Sequence, residues 1–281
     1  TDARVALMNV EYWSGREEAA RAHAKAVLAE ETGHPQASLV EQRLSSERPW
    51  TAGVAYTWDW FDGERSPWHE TALSLARETR LGSVILRGSH AERFRLDDQL
   101  IELEAYPTFR AGTYAYVGVG VATKSDLYPD YRVGVDLYQS LAWGLEVSGG
   151  YRRLGFDDPV DIYIGSLTKY VGNWMWTAKV NYVPSGGGED STSYFGSVRH
   201  YFGESGTSWV GLTYGHGLSR EEVRNTGDLV QLDSDSLRLE LDVELTERWL
   251  LGLSATGSRE ERTSQETLWQ YTFGSRLGWR F

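Results

Sequence analysis

Cysteine is absent from the 281 residues. That excludes a disulfide framework and any thiolate metal site. Positive charge is short: 28 Lys and Arg against 40 Asp and Glu give a net charge of −12. Such a balance argues against a nucleic-acid partner, because tracking phosphates requires a basic face. No run of about 18 apolar residues occurs, so no helix is apolar enough to span a membrane. No Gly-rich cradle follows a strand and opens a helix, and no His-x-x-x-His spacing exists. Neither a cofactor nor a metal is therefore expected. Proline is scarce at 7. No signal peptide is visible, and Thr1 reads as the start of a mature or trimmed chain.

What is plentiful is aromatic: 12 Trp and 16 Tyr, with 30 Gly beside them. The mean hydropathy of −0.45 would suit a water-soluble protein. A transmembrane barrel passes the same test, because only every second strand residue faces lipid.

Two territories divide the chain. Residues 1 to about 48 are rich in Ala, Glu and Arg, with Ala19, Ala20, Ala22, Ala24, Ala26 and Ala29 among charged neighbours. These are strong helix formers. Gly15 separates two expected helices, Gly33–His34–Pro35 ends the second, and a third piece runs from about Gln36 to Ser46. Helix, turn and helix with small residues at the contact resembles a single tetratricopeptide repeat. One repeat does not bury its own face, so this segment belongs to a longer array or packs on the rest of the chain.

From 49 to 281 the period becomes two. Trp269, Tyr271, Phe273, Leu277, Trp279 and Phe281 alternate with Gln270, Thr272, Gly274, Arg276, Gly278 and Arg280. Leu237, Leu239, Leu241 and Val243 alternate with Arg238, Glu240, Asp242 and Glu244. One face is apolar and the other polar. About fourteen such segments follow one another, each near the ten residues that a tilted strand needs to cross a bilayer. They centre near 56, 73, 88, 103, 117, 135, 149, 165, 178, 197, 212, 240, 253 and 274. An even number of antiparallel strands closes into a barrel without an edge. The expected fold is an all-β transmembrane barrel of about 14 antiparallel strands behind a short α-helical segment.

If Trp50 starts in the periplasm, connections near 80–82, 111–112, 142–144, 171–173, 203–207 and 246–248 lie on that side and are short. The outer side then takes 125–130, the Gly-rich 185–191 and the polar stretch 219–231. That is the asymmetry of an outer-membrane barrel. Alternating strands also build soluble sandwiches. Trp and Tyr at the strand ends, and a last strand closing on Phe281, favour the membrane.

Particular motifs carry a family resemblance. They are Pro67–Trp68–His69–Glu70, Ala105–Tyr106–Pro107, Gly112 to Tyr116, Leu127 to Arg132, Ile162 to Trp174, and the terminal Gly278 to Phe281. Together they resemble the YaiO family of outer-membrane barrels, over about Trp50 to Phe281. The resemblance implies an outer-membrane location and tetratricopeptide-like helices ahead of the barrel, and it implies no settled activity. Ile164 stands where a small polar residue is expected.

Alternation assigns a lumen. Inward-pointing residues would be Glu70, Arg87, Arg93, Glu102, Glu104, Asp136, Glu146, Arg152, Lys179, Arg199, Arg238, Glu240, Asp242, Glu244, Arg276 and Arg280. Tyr106, Tyr114, Tyr116, Tyr138 and Tyr201 join them. Mixed charges either pair across the lumen and plug it, or line a hydrated path. Tyr rings beside carboxylates and Arg would suit carbohydrate, which offers apolar faces ringed by hydroxyls. Helices ahead of a barrel resemble exporters of cellulose or poly-N-acetylglucosamine. The expected partners are outer-membrane lipid and lipopolysaccharide, a polysaccharide or other solute, and a periplasmic or inner-membrane export partner docking on 1–48.

Two other roles stay open: a plugged scaffolding barrel of an envelope complex, and a lipid-modifying enzyme. For the enzyme, His69 beside Glu70 at the outer end of the second strand is the one acid–base pairing to entertain. Glu189 and Asp190 suggest calcium, but a flexible loop fits 185–191 better. Acidic outer positions Glu221, Glu222, Asp228, Asp233, Asp235, Glu260 and Glu261 read as solvated.

Overall fold

The structure is a computed structural model. It describes Arg4, Val5, Met8, Asn9 and Tyr12, then residues 17–45 and 49–281 apart from 63–65, 80, 111, 185–189, 204–206, 224–227, 234 and 262–266. Gly15, Glu189 and much of the expected calcium loop thus lie outside the described residues.

Arg4, Val5, Met8, Asn9 and Tyr12 are helical, and two helices follow among the described residues, α1 (Glu17–Glu30) and α2 (Pro35–Ser45). Ala20, Ala24 and Val27 follow i, i+4, i+7 spacing and so share one face of α1. They are buried against Ala37 and Val40 of α2, with Val5 and Met8 from upstream completing the cluster. Gly33, at φ +87°, makes the turn between them. These 14- and 11-residue helices do not support the expected tetratricopeptide repeat. Their small core closes on Val5 and Met8 of the same segment.

Fifteen strands follow. They are β1 (Trp50–Phe61), β2 (Trp68–Thr79), β3 (Gly82–Arg93), β4 (Leu96–Arg110), β5 (Thr113–Ala122), β6 (Tyr131–Ser140), β7 (Leu145–Gly155) and β8 (Val160–Val171). Then come β9 (Trp174–Val183), β10 (Ser191–Phe202), β11 (Ser208–Val223), β12 (Asp228–Asp233), β13 (Ser236–Glu244), β14 (Trp249–Glu261) and β15 (Thr267–Arg280). Each pairs antiparallel with its sequence neighbour, except that β11 reaches past β12 to β13. β12 pairs only along Leu218–Val223 of β11. Part of the expected loop 219–231 is thus a hairpin extension. Setting β12 aside leaves fourteen strands of the fifteen. β1 and β15 close the ring, in register from Thr51↔Arg280 to Phe61↔Gln270. Trp50 and Phe281 exchange backbone bonds at the seam, 3.3 and 3.0 Å.

Burial is inside-out relative to a water-soluble fold. Leu73 is 64% exposed and Val121 56%, while Glu102 and Asp136 are 4% and 2% exposed. Apolar side chains face outward and charges face inward on alternate positions of the same strands. The outer surface is banded by rings. Trp143, Trp174, Trp249 and Trp279 stand exposed at the end that carries Trp50 and Phe281, here the near end. Tyr163, Tyr182, Tyr194, Tyr214 and Trp269 stand exposed at the far end. From Trp279 to Trp269 on β15 is ten residues, about 33 Å along the strand and about 25 Å along the axis at a tilt near 40°. That matches the apolar height of a bilayer-spanning barrel.

Near-end turns are short, and far-end connections are mostly longer. The far-end turn at Phe94 and Arg95 is only two residues long. Both take positive φ, 55° and 66°, the twist that a two-residue hairpin requires.

Candidate functional site

The barrel interior is the candidate site, and its walls differ. On β2–β7, arginines and carboxylates of neighbouring strands interlock. Arg93 Nη2 lies 3.3 Å from Glu70 Oε2, and Arg132 Nη1 3.2 Å from Glu102 Oε1. Arg87 Nη1 reaches Glu104 at 3.5 Å and Glu102 at 3.9 Å. Arg152 donates to Asp136 at 2.9 Å. Guanidinium planes also cover rings: Arg93 over Trp68, Arg132 over Tyr128 and Arg152 over Tyr116, at 5.1, 5.8 and 5.7 Å. Tyr106 packs on Tyr116 and donates to Glu104. Nearer the near end, Tyr114 and Tyr138 stack face to face, 4.7 Å between centroids. Tyr114, Ser140 and Tyr170 all donate to Glu146, at 3.1, 3.2 and 3.3 Å. This wall is buried, with its charges paired as low-dielectric burial demands, although Glu70 Oε1 and Arg152 Nε make no hydrogen bond there.

Small residues make room for it. A Cβ on Gly150 would sit 1.8 Å from Asp136 Oδ1, and one on Gly118 2.3 Å from the Tyr116 hydroxyl. The close approach of these side chains to strand backbone requires glycine there.

The β5–β6 loop, 123–130, turns inward across the far mouth of this wall. Asp98 holds it, accepting backbone N–H bonds from Lys124, Leu127 and Tyr128 at 3.1–3.2 Å, besides that of Gln99 at 2.8 Å. Tyr128 is 2% exposed and sits beside Glu70. Burial, then the charge of Glu70, pushes its phenol pKa up, so the ring stays neutral at any physiological pH. Lys124 caps the loop outside with Asp97 at 2.6 Å, and that bond raises its pKa.

On the other side, β13–β15 with β1 form a wetter wall. Arg276 pairs with Asp242, Arg280 with Glu244 at 3.4 Å, and Arg238 with Glu240 at 3.7 Å. The Arg276 side chain is 45% exposed and Arg280 30%, against 6% for Arg152 and Arg132. Thr57, Gly252, Ser254 and Gly274 line the open groove beside Arg276. Between the two walls, on β8–β11, Lys179 Nζ lies 4.6 Å over the Phe195 ring and Arg199 4.0 Å over Trp209. Tyr201 reaches Met175 there.

Glu70, Arg87, Glu102, Glu104, Tyr106, Tyr116, Asp136 and Arg152 thus meet in one network. Tyr114 and Tyr138 stack in a second, Arg238, Glu240 and Arg276 line the open wall, and Lys179 and Arg199 stand apart on β8–β11. Sequence reasoning missed Asp98, Arg132, Tyr128, Trp68 and Trp209. Parity would have found Asp98, Arg132, Trp68 and Trp209; Tyr128 sits in a loop, where parity does not apply. Ile164 falls on the inner face with buried Ile162, two strand positions away. His69 and Glu70 do not form a pair. Adjacent strand residues face opposite sides, so Glu70 meets Arg93 inside, whereas His69 bonds Tyr56 outside at 2.7 Å.

A closed antiparallel ring with an apolar, aromatic-banded exterior and a charged interior defines a transmembrane barrel of the outer-membrane type. The chain belongs to the family of the YaiO membrane beta barrel domain, whose model matches residues 50–222. No curated protein matches the sequence. Among solved structures, a bacterial polysaccharide outer membrane secretin superposes with TM-score 0.53 at 7% identity, covering 84% of this chain and 100% of that one. Omp33 of Acinetobacter baumannii gives 0.48 at 12%, covering 83% and 98%. The KdgM porin gives 0.43 at 11%, covering 82% and 99%.

Proposed function

We propose that this outer-membrane barrel is a conduit for a hydrophilic solute, with an envelope or extracellular polysaccharide as the favoured cargo. The supporting observation is the uneven burial of inward charge. Arg276 and Arg280 point into the barrel yet keep 45% and 30% of their side chains exposed. An inward cation that is exposed faces water-accessible space, since lipid lies on the other face. The path runs along β13–β15 and β1, past Thr57, Ser254, Arg238, Glu240 and Arg276. Far-end loops face the cell exterior and lipopolysaccharide. Residues 1–48 face the periplasm, where α1 and α2 dock an export partner.

The packed β2–β7 wall and the inturned Tyr128 favour a second reading, a plugged barrel that scaffolds an envelope complex. Conductance in planar bilayers separates the two. A steady current that oligosaccharide blocks is the expected result. Silence from the intact chain overturns the conduit.

A further inference from the structure

We propose that the Arg276–Asp242 pair on the open wall is a binding subsite for an uncharged saccharide, which it grips by two neighbouring hydroxyls. This rests on the conduit reading and names its cargo class. Strand register lays the subsite out. Asp242, Gly252, Arg276 and Ala55 form one row across β13, β14, β15 and β1. The Asp242 and Arg276 side chains therefore meet over the backbone of β14, which Gly252 leaves bare. A Cβ on Gly252 would sit 3.2 Å from Arg276 Nε and 3.4 Å from both Arg276 Nη2 and Asp242 Oδ1. The next row toward the far end is Glu240, Ser254, Gly274 and Thr57. There Gly274 leaves a notch between two hydroxyls: its Cβ would lie 2.5 Å from Ser254 Oγ and 4.0 Å from Thr57 Oγ1.

The pair is open on its lumen side. The Arg276 side chain is 45% exposed and that of Asp242 23%. The like pair of the packed wall, Asp136 with Arg152, is 3% and 6% exposed, with the Tyr116 ring against its guanidinium. Among the described residues no ring covers Arg276. A guanidinium only donates and a carboxylate only accepts, whereas a hydroxyl does both. Two adjacent sugar hydroxyls thus take a bond from Arg276 and give one to Asp242 while the ion pair stays intact. Ser254 and Thr57 offer further hydroxyls beside it. A charged sugar binds at a cost. Its carboxylate would take Arg276 from Asp242, or its ammonium Asp242 from Arg276, and either leaves one charge unmatched. The charged lining of the groove, Arg238, Glu240, Asp242 and Arg276, holds two of each sign, so it draws neither kind of ion.

The test is isothermal titration of the full chain in detergent with oligomers of equal length: neutral maltooligosaccharide, anionic oligogalacturonate and protonated oligoglucosamine. The neutral oligomer should bind tightest, by about tenfold. Arg276→Gln and Asp242→Asn should each weaken it by about tenfold or more, the scale of a lost charge-assisted hydrogen bond. They should also move the preference in opposite directions. Arg276→Gln shifts it toward oligoglucosamine, because Asp242 loses its cation, and Asp242→Asn shifts it toward oligogalacturonate. A barrel that was merely loosened would show no such opposition. Equal wild-type affinity for the oligomers, tighter wild-type binding of a charged one, no binding of any, or variants that keep the wild-type order overturns the proposal. The wild-type comparison needs no variant to fold. Bilayer conductance on the same preparation is read separately: a silent barrel with the expected order overturns the conduit and leaves this subsite standing, and a conducting barrel without that order does the reverse.

Discussion

At Gly150 the backbone of β7 passes under the Asp136 carboxylate that Arg152 holds. A methyl group there would meet Asp136 Oδ1 at 1.8 Å and the Val135 carbonyl at 3.0 Å. Gly149, its neighbour, faces outward with nothing within 4 Å. We expect Gly150→Ala to lower stability by about 1–3 kcal/mol and Gly149→Ala to change it little. Urea unfolding of the two variants in the same detergent checks this. If both behave alike, the Asp136–Arg152 contact does not constrain the strand. Much at this scale was legible in sequence. Parity alone put Glu102, Asp136 and Arg152 inside. It did not say that Arg132 would take one side of Glu102 and Arg87 the other, because that depends on register and side-chain reach. Asp98 shares the inward parity of Glu102 and Glu104, but its role was not legible: its loop partners are backbone N–H groups 26 to 30 residues away, which leave no mark in composition. His69 next to Glu70 misled because adjacency in a strand separates side chains instead of joining them.

Among the elements, the β5–β6 loop takes most of its backbone anchoring from Asp98. Asp98→Ala removes the acceptor for several backbone donors at once, each such charged bond being worth about 1.5–3 kcal/mol. Trypsin added at the far end should then cut at Lys124 faster, by about tenfold or more, and single-channel current should rise. Unchanged cleavage means the loop is held elsewhere. The far-end contact of Asp235 offers a pH test. Bonds from the Tyr214 hydroxyl, then from His216, hold its carboxyl below the usual Asp range. A depressed folded pKa gives a contribution that is full above the unfolded value, about 3.9, and is lost as pH falls through the lower folded one. Amide exchange near Tyr214 should thus be flat from pH 7 to about 5 after correction for intrinsic rates, and rise only in stronger acid. A rise already at pH 6 would contradict the contact. Strand centres were readable along the whole barrel because period two is imposed by lipid on one face and by water or ion pairs on the other. The two-residue turn at Phe94–Arg95 was not, since neither residue type announces positive φ.

For the whole molecule, the helical segment and the barrel each bury their own contacts. Val5, Met8, Ala20, Ala24, Val27, Ala37 and Val40 form one cluster among themselves. Deleting residues 1–48 should therefore leave a barrel that still shows heat-modifiable migration in gel electrophoresis, with a midpoint within a few degrees of the intact chain. Loss of that behaviour would mean the helices support the barrel. The helical character of this segment was legible from its Ala, Glu and Arg. The number of its units was not, because stacking is a long-range property.

The seam between β1 and β15 has a temporal consequence. Its eleven paired positions join residues that are the first and last barrel residues of the chain, Thr51 with Arg280 at one end. Until Phe281 has emerged, β1 has one bare hydrogen-bonding edge, and an incomplete barrel is an open sheet ready to pair with any strand it meets. Closure of the ring must wait for β15, and until then the free edge of β1 stays open to pairing. A copy shortened by its final strand would not be a smaller pore; it would be an aggregation hazard.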